Sequence, residues 1–233
     1  MTGTFHGIGC GPGDPELLTL KAQRLIKACP VIAYPCNGEG ESLARRIAAG
    51  SLVAGQEELP IHLPMEPDRS AAQSAYDRAA EAISGRLAAG RDVGFLCEGD
   101  PFFYGSFMYL FARLGQSFST SVVPGVTSLT ACAAALGRPL AARSEVLKVL
   151  PATLAAARLS AELATAESAA IIKVGRHFEK VRAVLDALGL LEWAALVEGA
   201  TWPEERCRPL CDLPPGTRPY FSTILVYRGG EGW

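Results

Sequence analysis

The most informative segment of this 233-residue chain is Glu98-Gly99-Asp100-Pro101-Phe102-Phe103-Tyr104-Gly105. It directly follows the apolar run Asp92-Val93-Gly94-Phe95-Leu96-Cys97, which is typical of a short buried strand. Gly99 and Pro101 predict a turn there, because glycine permits unusual backbone angles and proline lacks a backbone donor. Ligands of open α/β sheets bind beyond the carboxyl ends of the strands, so this loop predicts a ligand crevice.

A second loop of the same kind lies near the N-terminus, in the segment Gly7-Ile8-Gly9-Cys10-Gly11-Pro12-Gly13-Asp14-Pro15. A single glycine-proline loop can simply turn the chain. Two such loops, each placed after a predicted strand, favour a binding site at the edge of a sheet.

The glycine spacing argues against a dinucleotide or triphosphate site. Gly7, Gly9 and Gly11 are evenly spaced, whereas the dinucleotide fingerprint is Gly-x-Gly-x-x-Gly. A Gly-x-x-x-x-Gly-Lys phosphate loop is also absent from the sequence. The loops therefore suit a small polar cofactor without many phosphates.

Composition and charge exclude several classes of protein. The formal net charge is −2, which argues against nucleic acid held on a basic surface. No apolar run approaches the roughly 20 residues of a membrane-spanning helix, and the first residues do not resemble a signal peptide. We therefore expect a cytoplasmic protein without nucleic-acid or membrane partners.

The seven cysteines are odd in number and scattered, and no pair has Cys-x-x-Cys spacing. Cys207 and Cys211 are closest, but no second pair or nearby histidine completes a zinc site. We predict small buried thiols and no metal bound by the protein.

Strand-like and helix-like patterns alternate in both halves of the chain, which predicts an α/β protein with mainly parallel sheets flanked by helices. We expect two α/β domains, at residues 1–117 and 118–233. The predicted strands are 5–10, 31–34, 92–97, 119–123, 146–150, 169–174, 194–198 and 220–227. The first predicted helix is capped by Asp14 and has Pro15 at its first position. The other predicted helices are 43–49, 68–89, 106–114, 129–136, 152–170 and 178–188.

Three motifs carry a resemblance to a known superfamily. They are the segment from Gly9 to Thr19, the Glu98-Gly99-Asp100-Pro101-x-x-Tyr104-Gly105 loop, and Pro124-Gly125-Val126-Thr127-Ser128. In this order they resemble the tetrapyrrole methyltransferases, which have the class III fold and use S-adenosylmethionine. RNA and protein methyltransferases share that fold, so membership alone leaves the substrate open.

Further segments resemble the branch that methylates C20 of precorrin-2 in cobalamin synthesis. They are Ile172 to Val181, Glu198-Gly199-Ala200-Thr201 and Tyr220-Phe221-Ser222-Thr223-Ile224. The resemblance implies formation of precorrin-3A, S-adenosyl-L-methionine in a cleft between two α/β domains, and a homodimer.

The resemblance also assigns residues to the cofactor. Gly99 and Asp100 would hold its amino acid part or ribose, and Lys173, Ala200 and Thr223 its adenine end. For two of these residues an alternative stays open. Asp100 either contacts the cofactor or only caps its own turn through the backbone. Glu98 either faces the sulfonium or simply lies in the turn. The full set is Pro12, Glu98, Gly99, Asp100, Tyr104, Thr127, Ser128, Lys173, Ala200 and Thr223.

The carboxylates of a tetrapyrrole suit arginine side chains, which bind them with paired hydrogen bonds. The candidates for substrate binding are Arg138, Arg143, Arg176 and His177, each of which has the alternative of being an ordinary solvated side chain. No catalytic residue is predicted, because the C20 carbon is electron-rich and does not require a strong base.

Other functions remain possible at this point. The cobalt-containing form, factor II, is an alternative substrate, and so is another tetrapyrrole carbon. Methylation of RNA or protein predicts a broad basic rim, and the chain has no Lys/Arg run. A binding module without catalysis predicts tight ligand binding without turnover.

Overall fold

The computed structural model describes residues 1–63 and 69–229. Contacts divide the chain into two compact units, Met1–Thr127 and Ser128–Trp233. Within the described ranges, no helix combines the length and apolar character needed to cross a bilayer. Each unit is a five-stranded sheet flanked by helices, so the predicted α/β class with two domains is confirmed.

The first unit contains an entirely parallel sheet with the strand order β3-β2-β4-β1-β5. The strands are β1 (Phe5–Gly9), β2 (Val31–Cys36), β3 (Glu57–His62), β4 (Val93–Cys97) and β5 (Thr120–Val123). The helices are α1 (Leu20–Ala28), α2 (Leu43–Ala48), α3 (Arg69–Ala88) and α4 (Phe107–Leu114).

Successive side chains along the strands of this sheet point to opposite faces, and each face packs into its own apolar cluster. Phe5 and Phe95 pack with Phe107 of α4 in one cluster, and the rings of Phe5 and Phe107 lie 5.1 Å apart. Ile8 and Ile32 belong to the other cluster, with helices α1 and α2. A sheet buried on both faces fixes its strand ends rigidly, so the loops that follow them are well supported.

The second unit contains a mixed sheet with the order β6-β7-β10-β8-β9. β6, β7 and β8 run in one direction, while β10 is inserted antiparallel between β7 and β8, and β9 lies antiparallel at the edge. The strands are β6 (Leu147–Pro151), β7 (Ser168–Ile172), β8 (Ala194–Glu198), β9 (Arg206–Pro209) and β10 (Ser222–Tyr227). The helices are α5 (Ser128–Leu136), α6 (Ala156–Ala164) and α7 (Phe178–Ala187).

The division between the units differs from the expected boundary. The expected boundary lies between residues 117 and 118, whereas contacts divide the chain between residues 127 and 128. The reason is β5, which pairs in parallel with β1 and so completes the first sheet. Alternation of strands and helices does not reveal which sheet a strand joins.

Several element bounds also differ from expectation. Asp14 caps only the short 3-10 turn Pro15–Leu17, and α1 begins after Thr19, whose hydroxyl accepts a hydrogen bond from the Ala22 amide. Pro35 continues β2 instead of ending it, because it lies beyond Ala33, the last residue paired with β4. The edge strands β3 and β9 were not predicted, and the predicted helix start at Asp68 lies outside the described residues.

Candidate functional site

The glycine-rich loops of the first unit meet at the carboxyl edge of its sheet. The loop after β1 and the loop after β4 form a small antiparallel bridge between Gly11 and Gly99. The Gly99 amide donates to the Gly11 carbonyl at 2.8 Å, and the Gly11 amide donates to Gly99 at 3.2 Å. Both glycines have positive φ, which other residues rarely adopt.

The loop after β5 completes this arrangement through a close backbone contact. A Cβ atom on Gly125 would lie 2.1 Å from the Gly99 carbonyl oxygen and 2.9 Å from the Gly9 Cα. A Cβ atom on Gly9 would lie 2.6 Å from the Gly125 nitrogen. Three loops predicted from separate motifs are therefore brought together by three glycines. We call Gly9, Gly99 and Gly125 the glycine contact.

The Asp100 carboxylate stabilises the same cluster of loops. One oxygen accepts a hydrogen bond from the Phe102 amide at 2.9 Å, which is the local turn cap expected as an alternative. The other oxygen accepts from the Gly125 amide at 3.0 Å, a contact that the sequence did not predict. Each carboxylate oxygen retains a second lone pair, so a ligand hydroxyl or ammonium can still bind.

Glu98 lies next to the first turn of α2. Burial raises the pKa of its carboxyl, while hydrogen bonds from the backbone amides of Glu98 and Ala44 act in the opposite direction. Ala44 belongs to the first turn of α2, which Ser42 caps. Glu98 therefore connects the loop after β4 to a neighbouring helix, a contact that the sequence did not predict.

Unusual backbone conformations coincide with predicted site residues. In the described part of the chain, four residues other than glycine have positive φ: Tyr104, Arg143, Lys173 and Thr201. The first three are predicted site residues, and Thr201 follows Ala200. Such conformations cost free energy and cluster at functional sites, which makes Tyr104 and Lys173 candidates for ligand contact.

In the second unit, the residues assigned to the adenine end share one edge of the sheet. Lys173 follows β7, Ala200 follows β8 and Thr223 is the second residue of β10. The pairing of Ser222 with Glu198 brings the start of β10 to the carboxyl end of β8. Lys173 is exposed, whereas Ala200 and Thr223 are buried.

The remaining cofactor candidates lie at the loops themselves. Pro12 is buried in the loop after β1, and Thr127 and Ser128 are half-buried before and at the start of α5.

The candidates for substrate binding separate into two groups. Arg176 and His177 form a 3-10 turn close to Lys173. Burial, with the charges of Lys180 and Arg176, lowers the pKa of His177, so its imidazole is favoured in the neutral form. His177 is therefore better suited to hydrogen bonding than to neutralising a carboxylate.

Arg138 and Arg143 lie at the opposite edge of the second sheet. Arg143 precedes β6, and Arg138 lines a surface pocket of about 290 Å³ with Trp193 and Arg228. Trp193 precedes β8 and Arg228 follows β10, so this pocket lies at the edge remote from Lys173 and Thr223. The structure does not bring these two arginines together with Arg176.

Over residues 1–63 and 69–229, no three His, Cys, Asp or Glu residues cluster as metal ligands would. The aromatic residues Trp202, Tyr220 and Phe221 have no role predicted from the sequence, although the last two belong to the segment Tyr220-Phe221-Ser222-Thr223-Ile224. Their positions directly after β8 and before β10 are the signal that could have identified them.

The sequence matches a known protein family over most of its length. The family described as Tetrapyrrole (Corrin/Porphyrin) Methylases matches residues 4–212. The precorrin-2 C(20)-methyltransferase of Sinorhizobium sp is 39% identical over 99% of this chain and 96% of that protein. The cobalt-precorrin-2 C(20)-methyltransferase of Salmonella typhimurium is 33% identical over 99% of both chains.

Other relatives are longer. The cobalamin biosynthesis protein CobIJ of Mycobacterium tuberculosis is 42% identical over 97% of this chain, which spans 46% of that protein. Among solved structures, uroporphyrin-III C-methyl transferase from Thermus thermophilus, complexed with S-adenosyl homocysteine, has a TM-score of 0.69 and 26% identity. The match covers 96% of this chain and 97% of that one.

Proposed function

Because the chain belongs to the tetrapyrrole (corrin/porphyrin) methylases, we propose that it transfers a methyl group from S-adenosylmethionine to C20 of precorrin-2. The product would be precorrin-3A, an intermediate of cobalamin synthesis. The observation that carries this proposal is the glycine contact, at which the three motif loops meet. Near-full-length similarity to a precorrin-2 C(20)-methyltransferase supports the choice of substrate.

The residues at both sheet edges fit S-adenosylmethionine by their chemistry. In the first unit, Asp100 has lone pairs for an ammonium or ribose hydroxyl, and Thr127 has a hydroxyl for a further hydrogen bond. In the second unit, the buried Ala200 and Thr223 offer a compact surface for the adenine. When bound, the cofactor would supply a methyl group on a positively charged sulfur.

The protein's contribution to such a transfer is mainly positional. An in-line displacement requires the nucleophilic carbon, the methyl carbon and the sulfur to be aligned, and rigid loops favour this alignment. The glycine contact and the Asp100 carboxylate hold the loops in one arrangement. The C20 proton leaves after methyl transfer, and water or a weak base suffices to accept it.

The test is an anaerobic incubation of the protein with precorrin-2 and S-adenosylmethionine carrying a ¹³C-labelled methyl group. We expect one added methyl by mass spectrometry and a labelled carbon on C20 by NMR. A reaction containing S-adenosylhomocysteine in place of the cofactor is the control. Methylation of another carbon, or cofactor binding without methylation of any tetrapyrrole, would contradict the proposal.

The cobalt-containing substrate is the second candidate, because the Salmonella relative is a cobalt-precorrin-2 enzyme. Repeating the incubation with cobalt-loaded substrate compares the two directly. A higher kcat/KM for the cobalt form would reassign the physiological substrate.

The expected homodimer and cytoplasmic location belong to the same proposal. The homodimer is implied by the family resemblance, and the location is inferred from the sequence, in which no membrane span or signal peptide is recognised. Sedimentation velocity should give the mass of two chains, and a monomer at micromolar concentration would contradict the dimer. Fractionation of the source cells tests the location.

A further inference from the structure

Exposed aromatic rings lie beside the edge of the second sheet that holds Lys173 and Thr223. Tyr220 is 56% exposed and Phe221 is 40% exposed, directly before β10. Trp202 follows β8 and its ring lies 5.3 Å from that of Phe221. Single exposed aromatic residues are ordinary, but adjoining rings at one sheet edge form an apolar patch. We call these three residues the aromatic cluster.

Backbone contacts fix the aromatic cluster in place. The Gly199 amide donates to the Phe221 carbonyl at 2.9 Å and so joins the loops after β8 and before β10. The Tyr220 and Phe221 rings meet edge to face, with centroids 5.0 Å apart and an interplanar angle of 87°. A rigid aromatic surface loses little conformational entropy when a flat ligand binds, which favours a binding role.

Cationic side chains adjoin this cluster. The Arg218 amide donates to the Gly175 carbonyl at 3.4 Å, and a Cβ on Gly175 would lie 3.7 Å from the Tyr220 Cα. The turn that carries Arg176 is therefore attached to the loop that carries Tyr220. Arg176 is exposed and forms no ion pair with other described residues. Lys173 is likewise exposed on this edge.

We propose that the aromatic cluster and Arg176 bind the macrocycle of the tetrapyrrole substrate, with a ring edge against Phe221 and a carboxylate on the guanidinium. This inference rests on the proposed function, which it extends by naming substrate-binding residues. Aromatic rings beside exposed cations suit a flat conjugated ligand with a rim of carboxylates. Adenine offers a flat ring without such carboxylates and fits the arrangement less well.

Tryptophan fluorescence tests binding without relying on turnover. The chain has three tryptophans, and a Trp193→Phe, Trp233→Phe variant leaves Trp202 as the one indole. Uroporphyrin III, an octacarboxylate macrocycle, is the probe. We expect it to quench Trp202 fluorescence in a saturable way. Adding Phe221→Ala should raise its Kd about tenfold, as expected for the loss of one aromatic contact.

Matched variants separate a binding role from a general effect on the fold. Tyr109→Ala removes an equally exposed ring from α4 of the first unit and should leave the Kd of uroporphyrin III unchanged. Arg176→Gln should raise the Kd of uroporphyrin III severalfold. At saturating uroporphyrin III, the fluorescence of Trp202 should still be quenched. If Phe221→Ala lowers the melting temperature greatly, Phe221→Leu and Tyr220→Ala provide the same test.

Calorimetric titration with S-adenosylhomocysteine separates the macrocycle from adenine. We expect Phe221→Ala to leave the Kd of S-adenosylhomocysteine unchanged. Weaker S-adenosylhomocysteine binding with unchanged uroporphyrin binding would overturn the proposal in favour of adenine. Unchanged affinity for both ligands would also overturn it. The labelled-methyl assay on the wild-type protein decides the proposed function separately, since porphyrin binding does not depend on which carbon is methylated.

Discussion

Asp100 stabilises the candidate site through two backbone amides that belong to different loops. Replacing Asp100 with alanine leaves the amides of Phe102 and Gly125 without their acceptor. We expect the free energy of unfolding to fall by about 1–3 kcal/mol, since one of these hydrogen bonds is solvent-exposed. The Kd of S-adenosylhomocysteine should rise at least about tenfold, because the loop after β5 loses its attachment. Urea denaturation and calorimetry measure the two effects.

Asp77→Ala is a matched control for this substitution. Asp77 is exposed on α3, where it pairs with Arg113 at 2.7 Å. An exposed ion pair contributes little to stability, so both the unfolding free energy and the S-adenosylhomocysteine Kd should stay close to wild type. If Asp100→Ala binds S-adenosylhomocysteine as tightly as Asp77→Ala does, Asp100 has no part in the site.

Glu98 gives a second prediction at the scale of a single residue. Burial raises the pKa of its carboxyl above the usual range of glutamate. The neutral acid is therefore favoured in the folded state, and stability is lost as the pH rises through the folded-state pKa. Glu98→Gln removes this loss but keeps an oxygen for the Ala44 amide. The variant should match wild type below about pH 4, where glutamate is mostly protonated in both states, and be more stable than wild type at neutral pH. Urea denaturation measures the free energy of unfolding of both proteins. A difference between them that is the same at every pH would contradict this prediction.

At the scale of loops and strands, the glycine contact predicts how two glycine substitutions differ. Gly125→Ala places a Cβ 2.1 Å from the Gly99 carbonyl oxygen, so the loops must separate. We expect loss of S-adenosylhomocysteine binding and destabilisation of about 1–3 kcal/mol. Calorimetry and thermal unfolding measure these effects.

Gly85→Ala is the corresponding control for Gly125→Ala. Gly85 lies in α3, and no heavy atom would lie within 4 Å of an added Cβ. Because alanine is a better helix former, the variant should be more stable by about 0.5–1 kcal/mol and bind S-adenosylhomocysteine normally. If both variants had the same stability and the same affinity for S-adenosylhomocysteine, the close contact at Gly125 would be unimportant.

At the scale of the whole molecule, the seven cysteines predict a pattern of thiol reactivity. All seven are free, five of them are buried, and Cys207 and Cys211 are exposed. Burial raises the pKa of Cys10, Cys29 and Cys132 to about 12, so their reactive thiolates are scarce at neutral pH. Titration with Ellman's reagent should detect two thiols in the native protein and seven in guanidinium chloride. Rapid reaction of a third thiol in the native state would contradict the buried positions.

Local pattern determined most of the individual elements. β8 has the predicted bounds, and α2 begins at the predicted residue Leu43, because burial and helix capping depend on neighbouring residues. β3 was missed because it is an edge strand in which several side chains remain at least partly exposed. β3 lacks the continuous run of apolar residues that marks the central strands.

Local sequence patterns were enough to establish the α/β class, the motif loops after β1, β4 and β5, and the resemblance to the family. These features depend on short segments whose residue types restrict the backbone. The folded structure was needed to show that β5 joins the first sheet, that β10 lies between β7 and β8, and that Arg138 and Arg176 are at opposite edges. It also revealed the glycine contact and the second hydrogen bond of Asp100. Strand partners and loop contacts join residues far apart in the chain, and many pairings satisfy the same local pattern, so only the packed fold selects among them.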